Sequence, residues 1–380
     1  MTLTRRTLLR GLVAAAAVPA LTPSLAFAAT GRKWHPGHYF WPSQTAWSAD
    51  VQRSHFVALD AVAANPYVKG IKVAFHWSNF EAARGDYSPG FRIIDAYLTK
   101  LDAMDKFLMV HVNERSFGGS AAVYPRYVVD NDWVITRPSG ATWTGGLDSA
   151  AKMWQPAVMD RLIAMSQAFA TRYDGHPRFE QFSLGETAVG VPAKHGFSTE
   201  AWRTQLKRWF TESKRAWPST HLRLNANFMD NDEAMRDLIT HCVRGGGVTV
   251  GGPNPEPPLP NIARFVTANR VFRGNDGGED LRGKVPWTGE VQAKGLGTRF
   301  PQTPKEIFDY HYDTMHANHM VWLHNTRTGG TPQRWSTGIL PYINSIKGRV
   351  HTSHPTEGDC SKIGVSGSTR RADGLAGWAL

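Results

Sequence analysis

Two glutamates follow short apolar stretches that are typical of β-strands. Glu186 ends the stretch that begins at Phe179, and Glu290 ends the stretch that begins at Val285. A strand buried between layers normally ends in apolar or turn residues, so a carboxylate at this point indicates a function. Two carboxylates that flank one bond can cleave a glycosidic linkage, because one protonates the leaving oxygen while the other attacks or activates water. The pair predicts that chemistry if the fold brings both side chains into one cleft.

The elements that must position this pair alternate between strand and helix along the chain. The predicted strands cover residues 37–41, 68–77, 107–113, 179–186, 222–228, 247–251, 285–291 and 319–325. The predicted helices cover residues 50–64, 91–104, 154–173, 199–217, 232–243, 262–272, 304–317 and 334–346. Such alternation implies a parallel sheet, and eight units over roughly 300 residues predict a (β/α)₈ TIM barrel of the α/β class. An open doubly wound sheet is the alternative, but no Gly-rich phosphate fingerprint follows the first strand.

The segment after the second predicted strand adds a motif to this layout. Residues 77–87 have the sequence WSNFEAARGDY. With the two strand-end glutamates, this segment resembles the clan A glycoside hydrolases, which share a W-x-x-x-E-x-x-x-G-x-Y signature at this place. The resemblance implies a retaining (β/α)₈ glycosidase in which Glu186 on the fourth strand is the acid/base and Glu290 on the seventh is the nucleophile. It also implies that Glu81 and Gly85 shape the loop.

One position departs from the pattern of that clan. Its members usually have Asn immediately before the acid/base glutamate, where this chain has Gly185. Asn113, Asn225 and Asn227 lie at predicted strand ends and could replace the missing amide. A tyrosine that commonly steadies the nucleophile from the sixth strand is also not evident. These departures leave a non-catalytic carbohydrate-binding barrel as the alternative function.

Aromatic and polar residues at other strand ends are candidate contacts to a sugar. Trp322 is expected to form a platform, because the C–H groups on a sugar face pack on an indole ring; packing at the barrel mouth is the alternative. The full set of expected substrate contacts is Trp77, His111, Asn113, Asn227, Trp322 and His324. Glu114 is a reserve carboxylate, although an ion pair with its neighbour Arg115 favours a structural role.

The first 28 residues are expected to be an export signal. Arg5 and Arg6 precede an apolar run over residues 8–17, and residues 26–28 have the small-x-small form of a cleavage site. The paired arginines favour a twin-arginine signal, which exports folded proteins, over an ordinary secretory signal. The run is too short to span a bilayer. We therefore expect a periplasmic or secreted protein without a membrane span.

The remainder is expected to form one barrel over residues 29–346 and a polar tail over residues 347–380, which either packs on the barrel or is loose. The formal net charge is +11, but the basic residues are dispersed, so a nucleic-acid partner is not expected. Cys242 and Cys360 could form one disulfide or remain two thiols. Metal-ligand spacing is missing from the sequence. A monomer that acts on carbohydrate without a cofactor or metal is therefore expected.

Overall fold

The computed structural model describes residues 32–42, 48–116, 123–137, 148–188, 195–227, 229, 231–253, 267–291, 303–324 and 335–355. Within these ranges, no helix is long and apolar enough to cross a membrane. The expected signal at residues 1–28, the tail beyond residue 355 and Cys360 lie outside the described residues, whereas Cys242 is buried in a helix.

Eight parallel strands close into one barrel and follow one another around the ring in chain order. They are β1 (Gly37–Pro42), β2 (Val68–His76), β3 (Phe107–Asn113), β7 (Phe179–Leu184), β8 (His221–Asn225), β9 (Val248–Pro253), β10 (Trp287–Val291) and β11 (His319–His324). Pairing of β1 with both β2 and β11 completes the ring. The predicted (β/α)₈ barrel is confirmed, with β7 as its fourth strand and β10 as its seventh.

Helices connect the barrel strands. They are α1 (Ala49–Asp60), α2 (Trp77–Phe80), α3 (Ser88–Asp102), α4 (Arg126–Asp130), α5 (Pro156–Tyr173), α6 (Thr199–Ala216), α7 (Asp232–Val243), α8 (Thr267–Phe272), α9 (Pro304–Asp309) and α10 (Leu340–Ser345). A π-helical turn extends α9 through Thr314, and another, Trp335–Ile339, precedes α10. Side chains of Ser48, Ser198 and Asn231 accept from the first turn of α1, α6 and α7, as N-caps do.

The long segment after β3 contains a small antiparallel sheet that the sequence did not predict. Its strands are β4 (Arg115–Ser116), β5 (Val134–Thr136) and β6 (Ser149–Ala151), in the order β4-β6-β5. Strands of two or three residues are too short to show the alternation by which strands are recognised. This sheet holds the chain in place directly after the carboxyl end of β3.

Side chains alternate between the barrel interior and the surrounding helices, as the two-residue period of a strand requires. An inner apolar cluster contains Tyr39, Phe107, Met109 and Val321. Trp322, the residue after Val321, instead belongs to the large outer cluster between strands and helices. Which alternate residues of a strand face inward, here called the parity of the strand, therefore decides which side chains can reach a site inside the barrel.

The two ends of the described chain cover the amino end of the barrel. The backbone N–H of His35 donates to Glu180 Oε1 at 3.0 Å, and the ring Nδ1 of His35 lies 2.6 Å from Glu180 Oε2. Trp34 Nε1 donates to the carbonyl of Thr352 at 2.7 Å, and Asn318 Nδ2 donates to the carbonyl of His351 at 2.8 Å. The described part of the expected tail thus packs on the barrel, while the proposed domain boundaries remain a prediction.

Gly289, directly before Glu290, provides a test of this packing. A Cβ at this position would lie 2.0 Å from Cε1 of His311, which is fully buried. We expect Gly289→Ala to lower the free energy of unfolding by about 1–3 kcal/mol through overpacking, measured by urea denaturation. Gly175→Ala is the matched control, because a Cβ there has no neighbour within 4 Å. Equal stability of the two variants would contradict the packing described here.

Candidate active site

Glu290 projects from β10 into the barrel interior, where two cations hold its carboxylate. Lys72 of β2 and Arg223 of β8 both form ion pairs with Glu290 Oε1, and all three side chains are only 1% exposed. Burial by itself raises the pKa of Glu290, but Arg223 and Lys72 outweigh burial and lower that pKa to about 2. The carboxylate is therefore ionised at neutral pH, as a nucleophile or general base must be.

Glu186 lies two residues beyond β7, in a loop that is bonded to the end of β8. The N–H of Thr187 donates to the carbonyl of Asn225 at 3.0 Å, and the N–H of Asn227 donates to Thr187 Oγ1 at 2.9 Å. Asn227 Nδ2 then donates to Glu186 Oε2 at 2.6 Å. The loop therefore fixes the carboxyl group of Glu186 although the strand ends earlier than the sequence predicted.

The environment of Glu186 favours its protonated form. Burial is the largest cause of its raised pKa, and the negative charge of Glu290 adds to it, while Asn227 and Arg115 act in the opposite direction. Lys72 also interacts with both carboxylates. The two glutamates thus belong to one electrostatic site that raises the pKa of Glu186 and lowers the pKa of Glu290. Such a difference lets one carboxyl group act as an acid while the other is an anion.

The space beside Gly185 leaves no room for the Asn expected there from the resemblance. A Cβ at residue 185 would lie 2.5 Å from Glu114 Oε1, and the N–H of Gly185 donates to Glu114 Oε2 at 2.9 Å. Arg115 Nε donates to Glu114 Oε1 at 3.1 Å, and Glu114 is completely buried. Glu114 therefore occupies the position of the missing side chain and holds the backbone directly before Glu186.

His111 and Asn113, both predicted substrate contacts, lie inside the barrel at the carboxyl end of β3. His111 Nε2 lies 2.8 Å from Asn113 Oδ1, and its Nδ1 lies 3.1 Å from Ser183 Oγ of β7. Burial, with the charge of Lys72, holds the pKa of His111 well below its ordinary value, so the ring is neutral. The structure brings His111, Asn113 and Asn227 together with the glutamate pair.

The other three predicted contacts lie elsewhere. Trp322 is fully buried on the outer face of β11, and its Nε1 donates to His38 Nδ1 at 3.0 Å. Trp77 begins α2, is fully buried, and donates from Nε1 to Glu81 Oε2 at 2.8 Å. His324 is on the same outer face as Trp322 and packs against aromatic rings there. Strand parity directs Trp322 and His324 away from the barrel axis, whereas Trp77 lies beyond the end of β2 and packs in the interior through its bond to Glu81.

Three interior residues were missed by the sequence reasoning: Trp41, Lys72 and Arg223. Trp41, at the end of β1, is partly exposed, and Lys72 Nζ lies 3.7 Å from the centroid of its ring. This indole, rather than that of Trp322, is partly exposed and lies beside the Lys72 that pairs with Glu290. The available signal was a lysine and an arginine inside the apolar stretches 68–76 and 221–225, because a charge in a barrel strand needs a partner.

Among the residues that the structure describes, no group of three or more His, Cys, Asp or Glu side chains is arranged to hold a metal ion. Near Glu290, the described ion pairs are those of Lys72 and Arg223 with Glu290 and of Arg115 with Glu114.

Solved structures share the barrel. A lactosyl-enzyme intermediate of endo-glycoceramidase II from Rhodococcus sp. superposes with a TM-score of 0.54 at 12% identity, covering 83% of this chain and 80% of that one. A β-amylase catalytic domain from Paenibacillus polymyxa gives 0.53 at 10% identity, with coverage of 83% and 100%. A β-glucanase from Saccharophagus degradans with cellotetraose gives 0.50 at 10% identity, with coverage of 82% and 87%.

No family model matches the sequence, and no curated protein matches it. At these identities, the solved structures establish a shared fold.

The ion pairs of Glu290 lead to a stability test. Among the described residues, Glu290 is the carboxylate that pairs with both buried cations. We therefore expect Glu290→Gln to lower the free energy of unfolding by about 3–5 kcal/mol at pH 7, measured by urea denaturation. Because folding lowers the pKa of Glu290 from 4.5 to about 2, its stabilising effect is complete above pH 4.5 and declines toward pH 2. The difference between wild type and variant should shrink over that interval; a constant difference would contradict this account.

Proposed function

We propose that this protein is an exported retaining glycoside hydrolase that cleaves β-linked oligo- or polysaccharides. The proposal rests on the electrostatic interaction between the carboxyl groups of Glu186 and Glu290 at the carboxyl end of the barrel. One carboxylate is held ionised and the other has a raised pKa. Barrel enzymes place their active sites at this end, and the superposed structures include a glycosyl-enzyme intermediate in the same fold.

The proposed reaction is a double displacement. An ionised oxygen of Glu290 attacks the anomeric carbon while Glu186 gives its proton to the departing glycosidic oxygen. The bond to the leaving group breaks, and the sugar becomes an ester of Glu290. Glu186, now ionised, takes a proton from water, whose oxygen attacks the same carbon and releases Glu290. Both carboxyl groups return to their starting states.

Neighbouring groups have distinct parts in this proposal. Asn227 orients the carboxyl group of Glu186 through its 2.6 Å hydrogen bond. Lys72 and Arg223 keep Glu290 ionised, and Trp41, which is partly exposed, is the aromatic side chain that we assign to contact with a sugar ring. His111 is neutral and is bonded to Asn113. We assign this pair to hydrogen bonds with sugar hydroxyls.

The second candidate is a carbohydrate-binding barrel without activity, which Gly185 favours because the usual amide beside the acid is missing. Turnover decides between the two functions. Cleavage of aryl β-glycosides or of plant and bacterial polysaccharides supports the hydrolase, whereas binding without cleavage supports the alternative.

Export remains part of the proposal. The paired arginines and the apolar run in residues 1–28 support passage out of the cytoplasm by the twin-arginine route. A fusion of this segment to a reporter would show export that depends on Arg5 and Arg6.

The stereochemistry of the product tests the mechanism. A retaining reaction on a β-linked substrate releases the β-anomer first, because two displacements occur at one carbon. Proton NMR during early turnover, before mutarotation, would show this anomer. Initial release of the α-anomer would indicate a single displacement by water and would refute the nucleophilic role of Glu290.

The pH dependence tests the division of roles. Glu186 must be protonated in the first step, so kcat/KM should fall as pH rises through its pKa, which burial places above 4.5. Glu186→Gln should lower kcat by about 10²–10⁴-fold on substrates with poor leaving groups and abolish this alkaline limb. Activity on an aryl glycoside with a very good leaving group should fall least. An unchanged alkaline limb in the variant would exclude Glu186 as the acid.

A further inference from the structure

We propose that the sugar cleaved at Glu186 and Glu290 carries a carboxylate, so that the substrate is a β-linked uronic-acid oligosaccharide or polysaccharide. This inference rests on the proposed hydrolase function and adds the substrate class. It begins from an imbalance inside the barrel: Lys72 and Arg223, each 1% exposed, share the single carboxylate of Glu290.

The other charged groups that face this cluster do not remove the imbalance. Glu114, directly after β3, and Arg115, the first residue of β4, form an ion pair with each other. His111, on β3, is neutral, and Glu186, beyond β7, is protonated in the first step of the proposed mechanism. Among the described residues, the site therefore holds one positive charge more than negative charges.

The excess persists through the reaction. Glu290 loses its negative charge when it becomes an ester, but Glu186 gains one when it gives up its proton. The sum of the two is unchanged, so each state retains one cation without a counter-ion. Lys72 does not relieve this at neutral pH, because burial lowers its pKa only to about 8.

A substrate carboxylate supplies the missing counter-ion. Buried cations without a partner are costly in a protein interior, and Arg223 Nε is buried without a hydrogen-bond partner among the described residues. A guanidinium group binds a carboxylate with two parallel hydrogen bonds. Because the two cations contact the nucleophile, the anionic group must belong to the reacting sugar. A uronic acid meets this condition, since its carboxylate is bonded directly to the ring.

The test compares two substrates that differ only at C6. Cello-oligosaccharides and β-1,4-linked glucuronic-acid oligosaccharides of equal length are assayed with wild type, and we expect kcat/KM to be at least about tenfold higher for the uronate. Lys72→Met removes the excess charge and keeps the Arg223 pair, so this preference should fall at least about tenfold. The ratio is the readout, because Lys72 contacts the nucleophile and both absolute rates will change.

Lys106→Met is the matched control. Lys106 is also buried, but its Nζ donates to the carbonyls of Asn65 and Val68 at the amino end of the barrel, at 2.9 and 2.7 Å. Its replacement should leave the substrate ratio unchanged. A change equal to that of Lys72→Met would show that the ratio reports general loss of stability and would overturn the inference.

The remaining outcomes separate the two proposals. Faster cleavage of the neutral oligosaccharide by wild type would overturn the uronate inference and leave the hydrolase intact. If neither oligosaccharide is cleaved, the hydrolase is contradicted for this linkage, and calorimetric titration of wild type with both decides the charge inference. Tighter binding of the uronate that Lys72→Met abolishes would support it, and equal binding would overturn it.

Discussion

The candidate site depends on one buried interaction, the carboxylate of Glu290 between Lys72 and Arg223. It joins the second, fifth and seventh barrel strands through the interior, so the barrel must close before any of the three charges finds a partner. Removing such charges from water is expensive unless the geometry is well defined. The ring of eight paired strands supplies that geometry, and the carboxylate of Glu290 is ionised as a consequence.

The second carboxylate differs because its surroundings differ. Glu186 faces an amide from Asn227 and the negative charge of Glu290, so burial is not outweighed and its pKa rises. The backbone directly before Glu186 is held by the fully buried Glu114, which accepts a hydrogen bond from the N–H of Gly185. The carboxylate of Glu114, directly after the third barrel strand, thus occupies the space that a side chain at residue 185, directly after the fourth, would need.

The strand β7 shows how position along one element separates roles. Glu180, near its start, is completely buried at the amino end and lies beside His35 and His319. Burial would raise its pKa, but the two histidines lower it below the ordinary value. Glu180 thus helps close the end of the barrel that the terminal segments cover, while Glu186 lies at the opposite end, where barrel loops form sites.

The sequence by itself determined the fold class and placed Glu186 and Glu290 at the carboxyl ends of the fourth and seventh strands, because strand and helix periods alternate eight times and each of these two apolar stretches leads to a glutamate. It did not determine which face of each strand points inward. The two-residue period relates neighbouring side chains but leaves the inward parity to register and closure, so Trp322 was assigned to the mouth and Trp41 was overlooked. Only the tertiary structure paired Lys72 with Glu290, because ion pairs between distant strands exist only after the ring has closed.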